Sequence, residues 1–353
     1  NPHRRTARVN AGELLRGLDH EAQQFGLATT AGVVSHTGVA GLTLGGGLGR
    51  LHRKHGLTID NLLGADIVTA DGKWLRTDAT ENADLFWGIR GGGGNFGVVT
   101  SFDYQLHPVG PSVLSIASIY PMAQAEDMLK FYFEFMRDAP DDLYLGAGLF
   151  KRPDGTSFAM MAGCFFGPVD KADALLQGLQ NFGKPTLQRI APIDYVALQK
   201  RNDAKNPHGK KYYSKSGFFN DVDSSLVRTL VERFDRALSN QTVVLASPFG
   251  GAVGRVGPSD TAFYHRDAQF NIEVALSWED ASMSEGQVEW GRDFWRAVAP
   301  FATRGFYVNT EMDPSERRIR GNYGANYDRL VELKNSYDPN NLFRLNANIK
   351  PSR

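Results

Sequence analysis

Apolar positions recur along this chain in two rhythms. In residues 11–25, Leu14, Leu15, Leu18, Ala22 and Phe25 fall near a 3.6-residue spacing, which predicts an amphipathic helix. A second helix is expected over 46–55. Residues 65–70 form an apolar run that ends in Asp71-Gly72, a pair suited to a tight turn, and 73–76 is the returning strand. Residues 84–89 read as a short buried helix running into four glycines, and 98–106 as a strand closed by His107-Pro108. A second region opens near residue 112. Helices are expected there over 123–136, 170–182, 226–239 and 286–299, with strands over 143–150, 157–166, 242–247 and 270–278. Strands and helices alternate without a strict βαβ order. The expected class is therefore α+β, an antiparallel sheet with helices on one face.

Length and composition narrow the function. At 353 residues the chain exceeds one ordinary domain and suits two lobes. The 39 Lys and Arg balance 39 Asp and Glu, which argues against a nucleic-acid binder, since phosphate contacts need a basic excess. A single cysteine, Cys164, excludes an intrachain disulfide and a multi-thiolate zinc site, and reads as a core residue. No metal site is expected. No apolar run approaches the roughly 20 residues of a membrane span. Residues 1–9 resemble neither an initiator region nor a signal peptide. A cytoplasmic location is expected, with secretion left open.

Chemistry concentrates in the glycines. Residues 38–49, Gly-Val-Ala-Gly-Leu-Thr-Leu-Gly-Gly-Gly-Leu-Gly, offer bare backbone amides of the kind that bind anions. The run does not keep G-x-G-x-x-G spacing and no βαβ unit follows, so a dinucleotide fingerprint fits poorly. No Gly-Lys-Ser/Thr ends it, which excludes a Walker A loop. Residues 84–99 set aromatics against four consecutive glycines, as a backbone draped over an extended ligand would. The stretch 200–215 holds Lys200, Arg201, Lys205, Lys210, Lys211 and Lys215 against Asp203 alone. Two readings stand for it, a solvated loop and a lid touching an acidic substrate.

These segments, with residues 55–62, Ala70-Asp71-Gly72, Phe263-Tyr264-His265-Arg266, Tyr307-Val308-Asn309, 322–330 and 337–344, resemble the vanillyl-alcohol-oxidase and p-cresol-methylhydroxylase superfamily in its berberine-bridge-like branch. The resemblance covers most of the chain. It implies a PCMH-type FAD-binding lobe over 1–111, a substrate-binding domain over 112–305 with an antiparallel sheet flanked by helices, and a segment over 306–353 that returns to the FAD lobe. It implies FAD contacts from Gly38, Val39, Ala40, Gly41 and Leu42, with Gly45 and Gly46 in the same turn and His36 and Thr37 just before it. Val98 would lie on the adenine side, and Tyr307 and Asn309 at the isoalloxazine. Asn271 and Glu273 share a face of the 270–278 strand by alternation, and the corresponding family strand faces the flavin. They are the expected substrate contacts. Glu273 is the candidate base and Tyr307 the alternative acid or base.

Three departures from the family pattern bear on the cofactor and the base. Val34 stands where many relatives carry a flavin-linked cysteine. The segment bearing the flavin-linked histidine is expected ahead of Asn1. Thr310 stands where several relatives carry a tyrosine base. The expected activity is an FAD-dependent oxidoreductase, an oxidase acting on a small alcohol, sugar, amine or secondary metabolite, with hydride transfer to flavin N5 and molecular oxygen as acceptor. A non-redox cyclisation on the same fold and a non-catalytic or incomplete flavoprotein fold are the alternatives. Neither membrane nor nucleic-acid partners are expected, and the oligomeric state is open.

Overall fold

The two rhythms resolve into helices and antiparallel sheets in the computed structural model, which describes residues 1–152, 154–168, 171–345 and 347–352. The first region supplies β1 (Thr6–Asn10), α1 (Leu15–Gln23), β2 (Leu27–Ala28), α2 (Val39–Leu44), α3 (His52–His55), β3 (Leu62–Val68), β4 (Trp74–Asp78), α4 (Ala83–Ile89), β5 (Val98–Gln105) and β6 (His107–Pro108). Four of these strands form a sheet in the order β1-β5-β3-β4, and β2 pairs with β6. The hairpin at Asp71-Gly72 joins β3 to β4 with Val68 opposite Trp74. Among the described residues β1 pairs with β5 alone, at the end of the strand order.

The second region supplies β7 (Ser112–Pro121), α5 (Ala125–Arg137), β8 (Leu143–Lys151), β9 (Ser157–Phe165), α6 (Ala172–Asn181), β10 (Leu187–Asp194), α7 (Tyr195–Lys200), β11 (Lys211–Phe219), α8 (Ser224–Asp235), β12 (Val243–Pro248), β13 (Phe270–Trp278) and α9 (Ser284–Val298). Its seven strands run β10-β7-β9-β8-β12-β13-β11. On β13 the even positions Ile272, Val274 and Leu276 join a core with Met128, Phe133, Leu230 and Phe294 from α5, α8 and α9. Strand alternation therefore sends Asn271, Glu273 and Ala275 to the face away from these helices. The expected α+β arrangement, helices on one face of an antiparallel sheet, is what the chain adopts.

The chain ends with α10 (Glu316–Tyr323) and α11 (Tyr327–Tyr337). Ile319, Tyr323, Leu330, Leu333 and Ile349 share one apolar cluster with Ile67, Phe86 and Phe102 of the first region. Lys334 is fully buried there, donating to Asp338 at 2.7 Å, to the Asn95 carbonyl at 2.8 Å and to the Phe343 carbonyl at 2.7 Å. A buried ammonium is tolerated only with such partners, and these three fix the terminal segment onto the first sheet.

Several expectations need correction. The helix expected over 46–55 survives only as α3, because Gly46 and Gly47 take φ of 118° and 84°, values a right-handed helix cannot contain. Residues 39–44, read as part of a turn, form α2 instead. The helix expected over 170–182 runs Ala172–Asn181, and Asp170 lies outside the described residues. Strands β7, β10 and β11 carry Ser, Lys, Gln or Pro among their apolar residues, which hid them. The stretch 200–215 is only partly a loop. It ends in β11, where Lys215 is buried. Cys164 is buried and free, as expected of a core residue. Among the described residues no helix is long and apolar enough to cross a membrane.

Candidate functional site

Helix α2 begins without a side-chain cap. Its N-cap, Gly38, forms a bridge with Leu14, and the Val39 amide donates to the Glu13 carbonyl at 2.9 Å. The next amides of the first turn, those of Ala40 and Gly41, have no intrahelical acceptor by helix geometry. Gly38 and Gly41 are exposed, and a methyl group on either would meet no atom within 4 Å. Gly38 also has an ordinary φ of −71°. Neither packing nor backbone conformation asks for glycine there, and open space over bare amides is what a closely approaching anionic ligand requires.

The second half of the run has a different cause. A methyl on Gly45 would lie 2.2 Å from the Asn309 side chain, on Gly46 2.9 Å from the Phe263 ring, and on Gly49 1.8 Å from the Ala31 carbonyl. Of the glycines in 88–97, expected to drape over a ligand, Gly88, Gly91, Gly92 and Gly97 are close-packed in the same way. Gly91 abuts Phe263, Gly92 the Gly88 carbonyl and Gly97 the Val68 carbonyl.

Tyr307 and Asn309 meet this turn from the C-terminal segment. The Asn309 amide donates to the Leu42 carbonyl at 3.0 Å and to the Tyr307 phenolic oxygen at 2.8 Å. That oxygen also accepts from the Leu48 amide at 3.1 Å. Tyr307 is buried with Leu57, Phe218, Phe249 and Phe263, and burial pushes its pKa upward despite these donors. It remains a neutral phenol.

Glu273 lies close enough to Tyr307 for its charge to raise the tyrosine pKa further. It stands opposite Ser216 on β11 and Leu245 on β12, half-buried, with no hydrogen bond or ion pair among the described residues. Desolvation raises its pKa to about 7. A carboxyl group without a counter-charge, poised near neutrality beside an aromatic wall, has the properties of a general base. Asn271 shares its face, but it is buried and its amide is committed to the Gly217 carbonyl at 3.1 Å.

Other expected positions are less central. His36 is half-buried with its ring 4.5 Å from that of His208, while the preceding Ser35 gives its amide and hydroxyl to Asp203 at 2.8 and 2.6 Å. Thr37 is exposed. Val98 is exposed at the start of β5 opposite Val68, and among the described residues no hydrogen bond or strand pairing ties it to Tyr307 or to the 38–42 turn.

Sequence reasoning missed the support beneath the site. Glu311 is buried and accepts from Lys215 at 2.9 Å, from the Ser216 amide at 3.0 Å and from Arg318. Ser216 in turn accepts from the Tyr307 amide at 3.2 Å. The network ties the turn after Tyr307 to β11, alongside Glu273. A lone Glu at 311 and a lysine in a basic stretch carry no sequence signal for this. Likewise the Phe-x-His-Arg arginine, Arg266, holds Asp60 through paired bonds of 2.7 and 2.8 Å, a structural clasp between two loops. Among the described residues no group of His, Cys, Asp and Glu is arranged to hold a metal.

Comparison with known proteins places this geometry in context. Residues 1–78 match the family described as "FAD binding domain", and residues 306–350 the family "Berberine and berberine like". An FAD-linked oxidoreductase of Dictyostelium discoideum is 32% identical over 98% of this chain and 76% of its own length. Chitooligosaccharide oxidase of Gibberella zeae is 30% identical, covering 98% of this chain and 74% of its own. The solved structure of 6-hydroxy-D-nicotine oxidase from Arthrobacter nicotinovorans superposes with a TM-score of 0.88 at 26% identity, over 99% of this chain and 79% of that one.

Proposed function

The chain belongs to the berberine-bridge-like family of FAD-linked oxidoreductases, and from that premise we propose that it is an oxidase of a small organic substrate in which Glu273 is the general base. The observation that carries this reading is the isolation of Glu273, an unpaired carboxyl with a pKa near 7 beside Tyr307. The residues present fit the cofactor. The uncapped amides of the 38–42 turn, left open at Gly38 and Gly41, would hold its anionic part, with Asn309 and Tyr307 closing the turn from the other side. When bound, FAD supplies the two-electron acceptor, which molecular oxygen regenerates in an oxidase.

The protein's own residues set up the proton transfer. The ionised Glu273 carboxylate takes the proton from a substrate hydroxyl or amine, which raises electron density on that heteroatom and weakens the adjacent C–H bond. Burial on the sheet face limits solvation of the carboxylate, which raises its basicity toward the substrate. The Tyr307 oxygen already accepts two hydrogen bonds, so its phenol positions the turn and shapes the wall. Asn271 locks β13 to β11 and thereby fixes the direction of Glu273. Residues 112–305 present the substrate face, and residues 1–111 with 306–353 present the cofactor face.

Relatives named for a chitooligosaccharide and for a hydroxynicotine make sugars and amines the first classes for a substrate panel. The purified protein is expected to be yellow, absorbing near about 450 nm, and to release hydrogen peroxide with a member of that panel. Glu273→Gln is expected to lower kcat about 10³-fold with the flavin spectrum kept. Because the base must be unprotonated, kcat/KM rises as pH rises through about 7 and levels off above it. A colourless protein defeats the flavin assignment, and a fully active Gln variant defeats the base.

A further inference from the structure

A cavity of about 1490 Å³ opens where the C-terminal end of α9, the helix α10 and the loop 254–267 meet. Neither the glycine turn nor Glu273 lines it. Among the described residues seven arginines stand on its wall, with Asp267 as the only acidic side chain. The chain as a whole is charge-balanced, so this local surplus is not inherited from composition.

The arginines divide into two sets. Arg255, Arg266, Arg296, Arg318 and Arg320 are held by Asp141, Asp60, Glu289, Glu311 and Asp328. Arg304 and Arg317 are exposed and have no hydrogen bond or ion pair among the described residues. Arg304 reaches helix α10, since a methyl on Gly321 would lie 3.5 Å from its Cβ. Three further arginines, 317, 318 and 320, fall within four residues of that helix. Like charges this close repel one another, and a guanidinium presents a rigid fork that matches carboxylate or phosphate oxygens. Trp295, Ala299 and Ala302 add an apolar wall to the same cavity.

We propose that this cavity binds a small organic molecule carrying two or more anionic groups, with Arg304 and Arg317 making the direct contacts. The confinement of the unpaired arginines to one open concavity and the apolar wall favour a small molecule over a nucleic acid, which would need a basic surface extending beyond it.

Calorimetric titration of the flavin-loaded protein tests this, with inorganic pyrophosphate and citrate as the two polyanions and monophosphate as the reference. Pyrophosphate or citrate is expected to bind more tightly than monophosphate, and the tighter of the two identifies phosphate or carboxylate as the preferred group. Arg304→Ala and Arg317→Ala are each expected to weaken binding about 10-fold, and the double variant about 100-fold. Both side chains are exposed, so the flavin spectrum and thermal midpoint should stay unchanged. Absence of binding by either polyanion, or affinity unchanged in the double variant, overturns the proposal. Release of flavin during the titration would place the anion in the cofactor turn and overturns it as well. So does a duplex oligonucleotide that binds more tightly than pyrophosphate and loses that binding in the double variant.

Discussion

The two glycine-rich stretches look alike in composition and differ in cause. In 88–97, Gly88, Gly91, Gly92 and Gly97 are required by neighbours and Gly93 by its φ of 71°. A side chain on Gly91 would strike Phe263, and its φ of 116° excludes most other residues. In 38–49 the requirement splits along the run. The later glycines are packed as tightly as those of the second stretch, whereas Gly38 and Gly41 face open space. Glycine density alone does not mark a ligand site. Gly38 and Gly41, which no neighbour or backbone angle demands, leave room for one.

Two glutamates repeat the lesson beside the same strand. Glu311 and Glu273 both lie next to Ser216, and burial raises the pKa of each. Lys215 and Arg318 oppose that shift at Glu311 and bind it into the scaffold. Nothing opposes it at Glu273. One carboxylate is consumed by structure and the other has no partner among the described residues.

Substitutions can break or sharpen this contrast. The largest effect on stability is expected at Glu311. Glu311→Gln leaves two cations facing a neutral amide and should cost about 3 kcal/mol in chemical denaturation. A variant as stable as the parent would mean that the network contributes nothing. Gly91→Ala should cost about 2 kcal/mol, because the new methyl would lie 2.6 Å from the Phe263 backbone nitrogen at a positive φ. A lowered thermal midpoint checks it. The smallest effect has the opposite sign. Gly41→Ala in α2 should raise stability by about 0.5–1 kcal/mol, since alanine favours a helix and meets no atom there. The same variant should retain less FAD through gel filtration. Undiminished retention would remove Gly41 from the cofactor turn.

Periodicity and turn chemistry located the hairpin at Asp71-Gly72, strand 270–278 and the long helices 123–136 and 286–299, because each buries one face and declares it every second or every third to fourth residue. Edge strand β10 and strand β11 escaped, since an edge exposes polar residues and β11 buries Lys215 only by pairing it with groups nearly 100 positions away. Glu273 and Tyr307 could be nominated from sequence, by strand alternation and by motif. That Glu273 stands unpaired while Glu311 does not could not be read there.

The sequence by itself determined which segments bury apolar faces, that the class is α+β, and that its motifs belong with a flavin fold. Only the tertiary structure decided which glycines are empty, which carboxylate is free and which arginines lack a counter-charge. Those are properties of distance and desolvation between residues far apart in the chain, and no local pattern encodes them.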